Sequence, residues 1–145
     1  NSNLVSGQNR PRLYWTNIPI GSLLEDKKIS AIDIKESEDE FLFAATIKKK
    51  MGRKYVKRID KMPSLTTYCG NPNGLGRPFW TKEEFFVDRP FDYSKVRCIS
   101  PVEAERLQTV PDNYTSAISN SRRYHTLGNG WTVDVVAHIF QGLKL

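Results

Sequence analysis

A stretch rich in glycine and proline separates two parts of the chain that follow different patterns. Residues 63–80 (PSLTTYCGNPNGLGRPFW) contain three glycines and three prolines, and these residue types favour turns over long regular elements. Loops of this kind present side chains and backbone donors at the surface. We therefore expect the longer strands and helices to lie on either side of this stretch.

The part before this stretch carries the pattern of a β-hairpin. Residues 41–50 (FLFAATIKKK) alternate well enough for a strand. Met51 and Gly52 then offer a turn, and residues 54–59 (KYVKRI) alternate again as the returning strand. The face of the first strand that we expect to be buried consists of Phe41, Phe43, Ala45 and Ile47.

Charge is distributed unevenly along a chain whose net charge is +6. Residues 25–40 carry seven acids against three lysines, whereas residues 48–61 carry eight bases against Asp60 alone. Most charge runs are solvated faces, but a basic hairpin can also neutralise phosphates, with salt-dependent and largely sequence-blind affinity. Specific readout would then come from the neighbouring loops. The candidate phosphate-binding residues are Lys48, Lys49, Lys50, Arg53, Lys54, Lys57 and Arg58.

From Ile99 onward the sequence carries helix signals. Ser100 supplies a capping hydroxyl, Pro101 suits the first helical position, and Glu103 can reach back to the cap. We expect this helix to run until Pro111, whose ring removes a backbone donor.

Two further helices are predicted near the end of the chain. The first covers residues 121–127 and closes at Gly128 in a left-handed cap. Thr132 can cap the second, with Asp134 near the positive end of the helix dipole. Apolar residues recur in it at three- and four-residue steps, at Val133, Val136, Ala137, Phe140 and Leu143.

Two arginines precede an apolar, aromatic segment near the start. In residues 8–12 (QNRPR), Arg10 and Arg12 are two positions apart, so both project from the same side of a strand that continues into residues 13–15 (LYW). Their planar donor forks suit a carbonyl oxygen, phosphate or carboxylate. Judged alone, Q-x-R-x-R favours the other interpretation, a surface pair lying over aromatic rings.

The segment 128–131 (GNGW) ends one predicted helix and opens the next. Free backbone donors at a helix start beside an indole can hold a carboxylate and stack on a ring system. Spacing alone favours an interhelical turn with a core tryptophan.

Several classes of protein are excluded. Cys69 and Cys98 fit no disulfide framework or zinc motif, and His125 and His138 stand in no ligand pattern, so we expect no metal. Residues 1–20 resemble no signal peptide and no apolar run is long enough to span a membrane, which favours a cytoplasmic location.

The chain also lacks a complete catalytic motif. No P-loop, G-x-G-x-x-G or G-x-S-x-G occurs. No initiator methionine precedes Asn1, and the first methionine is Met51, which indicates a fragment.

Taken in order, three segments resemble the C-terminal portion of a DNA cytosine-5 methyltransferase. Residues 8–15 (QNRPRLYW) are similar to the eighth sequence block of that family, residues 97–112 (RCISPVEAERLQTVPD) to the ninth, and residues 128–139 (GNGWTVDVVAHI) to the tenth. Trp131 and the V-S-x-x-x-R-x-R-x-x-W pattern at 5–15 resemble the de novo enzymes of animals and related bacterial or phage enzymes.

The resemblance implies a mechanism shared with a part that this sequence does not contain. In the family, the cysteine of a Pro-Cys motif attacks C6 of a flipped cytosine, and C5 then takes the methyl group of S-adenosylmethionine. Here Cys69 follows Tyr68 and Cys98 follows Arg97, and no Glu-Asn-Val or F-x-G-x-G occurs. We therefore expect the chain alone to be inactive and to work with an N-terminal catalytic domain or subunit carrying Pro-Cys.

The resemblance also assigns roles by position. Arg12 matches the arginine that holds the target cytosine through O2, and Arg10 matches a supporting or phosphate-contacting arginine. The residues that match the border of the S-adenosylmethionine pocket are Asn129, Gly130 and Trp131. The residues that resemble a threonine-bearing DNA-contact segment are Leu65, Thr66 and Thr67. The ninth-block residues expected to be structural are Glu103, Arg106 and Leu107.

The expected fold class is α+β. Residues 1–19 would form a strand segment of the catalytic domain, residues 20–95 the target-recognition region, residues 96–127 the ninth block with connecting helices, and residues 128–145 the C-terminal helix of the catalytic domain. Without that domain both outer segments would expose apolar surface, so we expect the isolated chain to self-associate or to be marginally stable.

Two other hypotheses stay open: a freestanding basic DNA-binding module, and an inactive homologue serving as a structural partner. Restriction–modification and phage self-protection are both compatible with the leading one, and double-stranded DNA is the expected partner in it.

Overall fold

The protein combines short helices with a mixed set of strands, and its structure is a computed structural model that describes residues 1–66, 78–87 and 90–143. The strands are β1 Gln8–Asn9, β2 Phe43–Lys50, β3 Arg53–Arg58, β4 Met62–Pro63, β5 Phe79–Thr81, β6 Phe85–Phe86 and β7 Val96–Cys98. The helices are α1 Pro101–Leu107, α2 Asn120–Asn129 and α3 Val133–Phe140, with 3₁₀ turns at Ser2–Leu4, Ile32–Ile34 and Tyr93–Lys95. The expected α+β class is confirmed.

Five strands form an antiparallel sheet in the order β6-β3-β2-β5-β7. The predicted hairpin is its centre: β2 and β3 are joined by Met51 and Gly52, whose φ angles of 49° and 78° are both positive. Two positive φ values fit the tight turn that matches the twist of a hairpin. A separate two-stranded parallel pair joins β1 to β4.

Strand β2 is buried on both faces, which the predicted alternation did not anticipate. Ala45 and Ile47 pack in one apolar cluster, while Ala44 packs in another on the opposite side. The second cluster also holds Trp80 and receives α1 and α2, so helices cover one face of the sheet. A central strand covered on both faces shows no clean polar–apolar alternation.

Helix α1 begins as predicted and ends early. The Ser100 hydroxyl accepts a hydrogen bond from the Glu103 N–H at 3.1 Å, and the Glu103 carboxylate accepts one from the Ser100 N–H at 2.7 Å. The helix ends at Leu107 rather than near Pro111, because Thr109 turns the chain away with a φ of 55°.

Helix α2 is longer than predicted and does not close in a left-handed cap. Gly128 lies inside it, and the C-cap is Gly130 with a φ of −69°. A Cβ on Gly130 would lie 3.2 Å from the Thr126 carbonyl oxygen, so close approach rather than positive φ favours glycine there.

Helix α3 packs on the N-terminal segment through residues outside the predicted apolar stripe. Val135 and Ile139 are buried against Val5 and its neighbours near the N-terminus. The predicted stripe at Val133, Val136, Ala137, Phe140 and Leu143 is exposed or half-buried. The sequence predicted the helix but not the residues through which it packs on the N-terminal segment.

Candidate functional site: a junction of three segments

Arg10 is a buried cross-link between distant parts of the chain. Its side chain is 2% exposed. One terminal nitrogen donates to the Leu65 carbonyl at 2.8 Å, and the other donates to the carbonyls of Gly128 and Gly130 at 2.7 and 2.9 Å. A guanidinium so enclosed cannot reach a phosphate, so the predicted phosphate-contacting role of Arg10 is wrong and its supporting role fits.

A second buried network lies beside Arg10. The side-chain amide of Gln8 donates to the Leu107 carbonyl at 2.5 Å and to Gln108 Oε1 at 3.1 Å, and Gln8 Oε1 accepts from the Leu65 N–H at 3.3 Å. Gln108 Nε2 donates to the Leu127 carbonyl at 2.6 Å. Both glutamines are almost fully buried, so these bonds replace water for groups that would otherwise be unsatisfied. The network joins the segments of the three sequence blocks.

The helix start at the Gly128–Trp131 corner has its donors engaged. The Val133 N–H donates to the Gln108 carbonyl at 3.0 Å, and the Asp134 N–H donates to Thr109 Oγ1 at 2.9 Å. Thr132 directs its hydroxyl to Gln108 Oε1 at 3.1 Å instead of capping α3. The predictions of a Thr132 side-chain cap and of free backbone donors here are therefore wrong.

Arg12 lies in a different environment from Arg10. Only Gln8–Asn9 form a strand, and the chain from 10 to 16 has no regular structure. Arg12 is exposed, and one of its terminal nitrogens donates to the Pro11 carbonyl at 3.3 Å. The predicted same-side pair on an aromatic strand is wrong, and Arg12 is the member that presents its guanidinium to the surface.

An apolar groove of about 490 Å³ lies between residues 13–16, which directly follow Arg12, and α3. Tyr14 and Trp131 meet edge to face across it, with ring centroids 6.1 Å apart. Its lining is strongly exposed: Leu13 is 79%, Trp15 86%, Trp131 60% and Phe140 55% accessible. Trp131 is thus a surface residue and not the core tryptophan of the alternative interpretation.

The hairpin carries its cations on both faces. In the β2–β3 register Lys49 pairs with Lys54 on one face, and Lys48 pairs with Tyr55 on the other. Arg53 lies over the Phe86 ring at 4.7 Å and Arg58 over the Phe43 ring at 3.4 Å. Lys48, Lys49, Arg53, Lys57 and Arg58 are exposed and Lys54 is half-buried, whereas Lys50 ends β2.

Helix α1 holds the fold together through buried carboxylates. Glu103 accepts hydrogen bonds from Trp80 Nε1 at 2.9 Å and from Arg97 at 2.8 and 3.1 Å. Burial alone would raise the pKa of Glu103, but the bonds from Arg97, the Ser100 N–H and Trp80 outweigh it and lower that pKa. The structural role expected for Glu103 agrees with this geometry.

The neighbouring carboxylate, Glu105, holds the chain that follows α1. It accepts from the Thr115 hydroxyl and N–H and from Arg123, the last at 2.9 Å. Burial opposes ionisation here too, and the bonds from Thr115 and Arg123 again lower the pKa of Glu105. The next residue but one, Leu107, is fully buried, and Arg106 forms a bidentate pair with Asp112.

The remaining predictions concern the threonine segment, metal binding and membrane spans. Thr66 is exposed, whereas Thr67 and Cys69 lie outside the described residues. Within residues 1–66, 78–87 and 90–143, no cluster of three or more metal-ligating side chains occurs. None of the helices in this described part is long and apolar enough to cross a membrane.

The molecule is thus an α+β protein with a buried polar junction, a cationic hairpin and an apolar groove. The family model of the C-5 cytosine-specific DNA methylases matches residues 16–145, all but the first fifteen positions. The chain belongs to this family, whose members transfer a methyl group from S-adenosylmethionine to cytosine in DNA. A search of curated proteins returned no match.

The family match begins after the arginine segment, so the assignment of Arg10 and Arg12 to the eighth block stays a prediction. Sequence reasoning missed Gln8 and Gln108 as members of the junction. Their signal is weak: each is a single glutamine inside one of the segments that carry the resemblance.

Proposed function

We propose that this chain supplies the DNA-recognition part, one active-site arginine and a wall of the methyl-donor pocket of a DNA cytosine-5 methyltransferase. The reacting thiolate and the main cofactor motifs come from a domain or subunit outside this sequence. The observation that carries the proposal is the family match, which covers the two later segments joined by the buried network.

The cysteines of this chain are poor candidates for the nucleophile. Neither follows a proline, and the half-buried Cys98 lies in β7, two residues before the Ser100 cap of α1. A catalytic thiol needs an accessible site that favours the thiolate.

Arg12 is the residue proposed to act on the base. Its guanidinium is exposed, and the residues that directly follow it, 13–16, line the apolar groove. A fixed cation beside O2 of the flipped cytosine stabilises the charge that develops on the ring when a thiolate adds at C6. Arg10 takes the supporting role by holding the backbone carbonyls of Gly128 and Gly130.

The corner fits one portion of S-adenosylmethionine. The exposed indole of Trp131, carried by Asn129 and Gly130, lies beside Val133 and Val136 in an open apolar space of about 410 Å³. Such a wall suits the ring system of the donor. The N–H groups of Val133 and Asp134 already donate to Gln108 and Thr109, so they cannot bind the carboxylate of S-adenosylmethionine. The other domain must hold that carboxylate. When bound, the donor supplies the methyl group.

DNA would be held by the hairpin and the nearby loops. The exposed lysines on both faces of the hairpin can contact phosphates of the duplex. The proposed division keeps residues 20–95 as target recognition, with 96–127 as its structural frame. Residues 1–19 and 128–145 would dock on the catalytic domain, and the apolar groove between them would be covered there.

The test uses the complete enzyme that contains this chain. Arg12→Ala is expected to lower methyl transfer by about 10²–10³-fold, the usual loss for a donor to a developing oxyanion. The dissociation constant for the duplex should change less than about twofold, because Arg12 is proposed to contact the flipped base and not a phosphate, and phosphate contacts supply most of the affinity.

Arg122→Ala, which removes an exposed arginine from α2, is the matched control and should leave both quantities unchanged. Equal losses of binding and transfer in Arg12→Ala would make Arg12 an ordinary phosphate contact. Full transfer by Arg12→Ala would remove it from the active site.

A further inference from the structure

The guanidinium of Arg10 contacts two segments to which the proposed function gives different ligands. On one side it holds the carbonyl of Leu65, which directly precedes the exposed Thr66. On the other side it holds the carbonyls of Gly128 and Gly130, which flank Asn129 in the proposed donor wall. One buried side chain therefore touches both the DNA-facing and the donor-facing backbone.

The planar group makes this contact rigid. The donors of an arginine lie in one plane at fixed angles. The Leu65 carbonyl and the two glycine carbonyls cannot change their separation without breaking a bond to Arg10, a residue that is 2% exposed. A lysine could replace only one side, since its ammonium is a compact point of charge.

Arg10 is itself fixed in place. Its own N–H donates to Ser2 Oγ at 3.0 Å, and the neighbouring strand β1 pairs with β4. Both backbone polar groups of Leu65 are hydrogen-bonded. Its N–H donates to Gln8 Oε1 at 3.3 Å, and its carbonyl accepts from Arg10. Displacement of the 64–66 backbone is thus transmitted to Arg10 rather than absorbed locally.

We propose that Arg10 is a positioning residue that couples duplex binding to the order of the methyl-donor wall. Duplex bound at residues 64–66 fixes the Leu65 carbonyl, and through Arg10 it fixes the backbone of Gly128 and Gly130. Donor and duplex then strengthen each other's binding by the same factor, as linkage requires. This inference rests on the proposed function, since it needs a duplex at one end and a donor at the other.

The first experiment uses the unmodified chain within the complete enzyme. Amide hydrogen exchange is measured at several concentrations of a DNA duplex up to saturation. Binding is followed separately by anisotropy of the labelled duplex. We expect exchange to slow at 64–66 and at 128–132 at the same fraction of saturation. Bound duplex that protects 64–66 alone, or neither segment, overturns the coupling while leaving DNA binding intact. Absence of binding at any concentration contradicts the proposed function itself.

The second experiment changes the link. Arg10→Lys is expected to keep the duplex-induced protection at 64–66 and to lose it at 128–132. Arg123→Lys is the matched control, because Arg123 is also buried but donates to Glu105 and Thr115 instead. It should preserve both effects even if it lowers stability. Protection at 128–132 that persists in Arg10→Lys overturns the proposal, and if that variant does not fold, the unmodified chain still decides.

The complete enzyme gives a readout that mere destabilisation would not move. The dissociation constant for S-adenosylmethionine is measured with and without duplex by calorimetry. The ratio of the constant without duplex to the constant with duplex is expected to lie between about 5 and 150, the range typical of coupled sites. In Arg10→Lys this ratio should fall towards one. An unchanged ratio in that variant contradicts the coupling.

Discussion

Arg10 and Arg12 stand two residues apart and lie in opposite environments. Arg10 is enclosed because its three carbonyl acceptors come from Leu65 and from the α2–α3 corner, more than fifty residues away along the chain. Arg12 follows Pro11 in irregular chain and stays at the surface. A local pattern such as Q-x-R-x-R can show that arginines are present, but not which of them meets distant carbonyls.

The buried side-chain amide of Gln8 should contribute far more to the free energy of unfolding than the exposed side-chain amide of Asn9. Gln8→Ala removes bonds to Leu107 and Gln108 in the protein interior, and leaves their acceptors unsatisfied. We expect the free energy of unfolding to fall by about 2–3 kcal/mol. Denaturant titration measures this.

Asn9→Ala is the matched control for Gln8. The Asn9 side chain accepts a single bond, from Asn1, at the exposed surface, so its loss should change the free energy of unfolding by less than about 0.5 kcal/mol. Equal effects of the two substitutions would show that the buried junction does not stabilise the fold.

Glu103 predicts how stability depends on pH. Its pKa is lower in the folded protein than the ordinary value of 4.5, since hydrogen bonds from Arg97, Ser100 and Trp80 outweigh the opposing effect of burial. As the pH falls below 4.5 the unfolded chain takes up this proton first, so the stabilisation from Glu103 is present above 4.5 and is lost on acidification. Glu103→Gln should reduce the slope of unfolding free energy against pH in this acid range, by at most about 1.4 kcal/mol per pH unit, the limit for one proton.

Equilibrium unfolding at several pH values between neutral and acid measures that slope. Glu38→Gln, at an exposed position, controls for the loss of one negative charge. An undiminished slope in Glu103→Gln would contradict the assignment of acid sensitivity to this carboxylate.

At the scale of elements, local signals predicted what each segment is, and tertiary packing decided which side it buries. The Ser100–Glu103 capping box and the Met51–Gly52 turn depend on neighbouring residues and could be predicted. The buried face of α3 could not, because Val135 and Ile139 are selected by Val5 and its neighbours in the distant N-terminal segment. The early end of α1 has the same cause, since Gln108 and Thr109 bond to the start of α3.

The hairpin should control the salt dependence of DNA binding. Lys48→Gln combined with Lys49→Gln neutralises two exposed cations, one on each face of β2. If both contact phosphates, the slope of log affinity against log salt should lose about 1.8 in magnitude, or 0.9 for each contact. Binding measured between low and physiological salt gives the slope.

A second lysine pair provides the control for this measurement. Lys27→Gln with Lys28→Gln removes the same charge from exposed positions outside the hairpin. That variant should keep the parent slope. Identical slopes in all three proteins would remove the hairpin from the DNA-binding surface.

At the scale of the whole molecule, an unequal distribution of apolar residues supports the proposed docking site for a further domain. The two outer segments, around Tyr14 and along α3, meet in an apolar groove whose lining stays exposed. A monomeric protein rarely leaves such a patch uncovered. The fold class and the order of the segments could be predicted from the sequence, whereas the groove depends on packing that only the structure describes.

Methyl transfer by this chain with and without a Pro-Cys-bearing part tests the central claim most directly. The purified 145-residue chain is incubated with duplex DNA and S-adenosylmethionine carrying a labelled methyl group, first alone and then with the missing part added. No label should enter cytosine in the first reaction, and addition of the second part should start incorporation. Incorporation by the chain alone would contradict the claim that the reacting thiolate lies outside it.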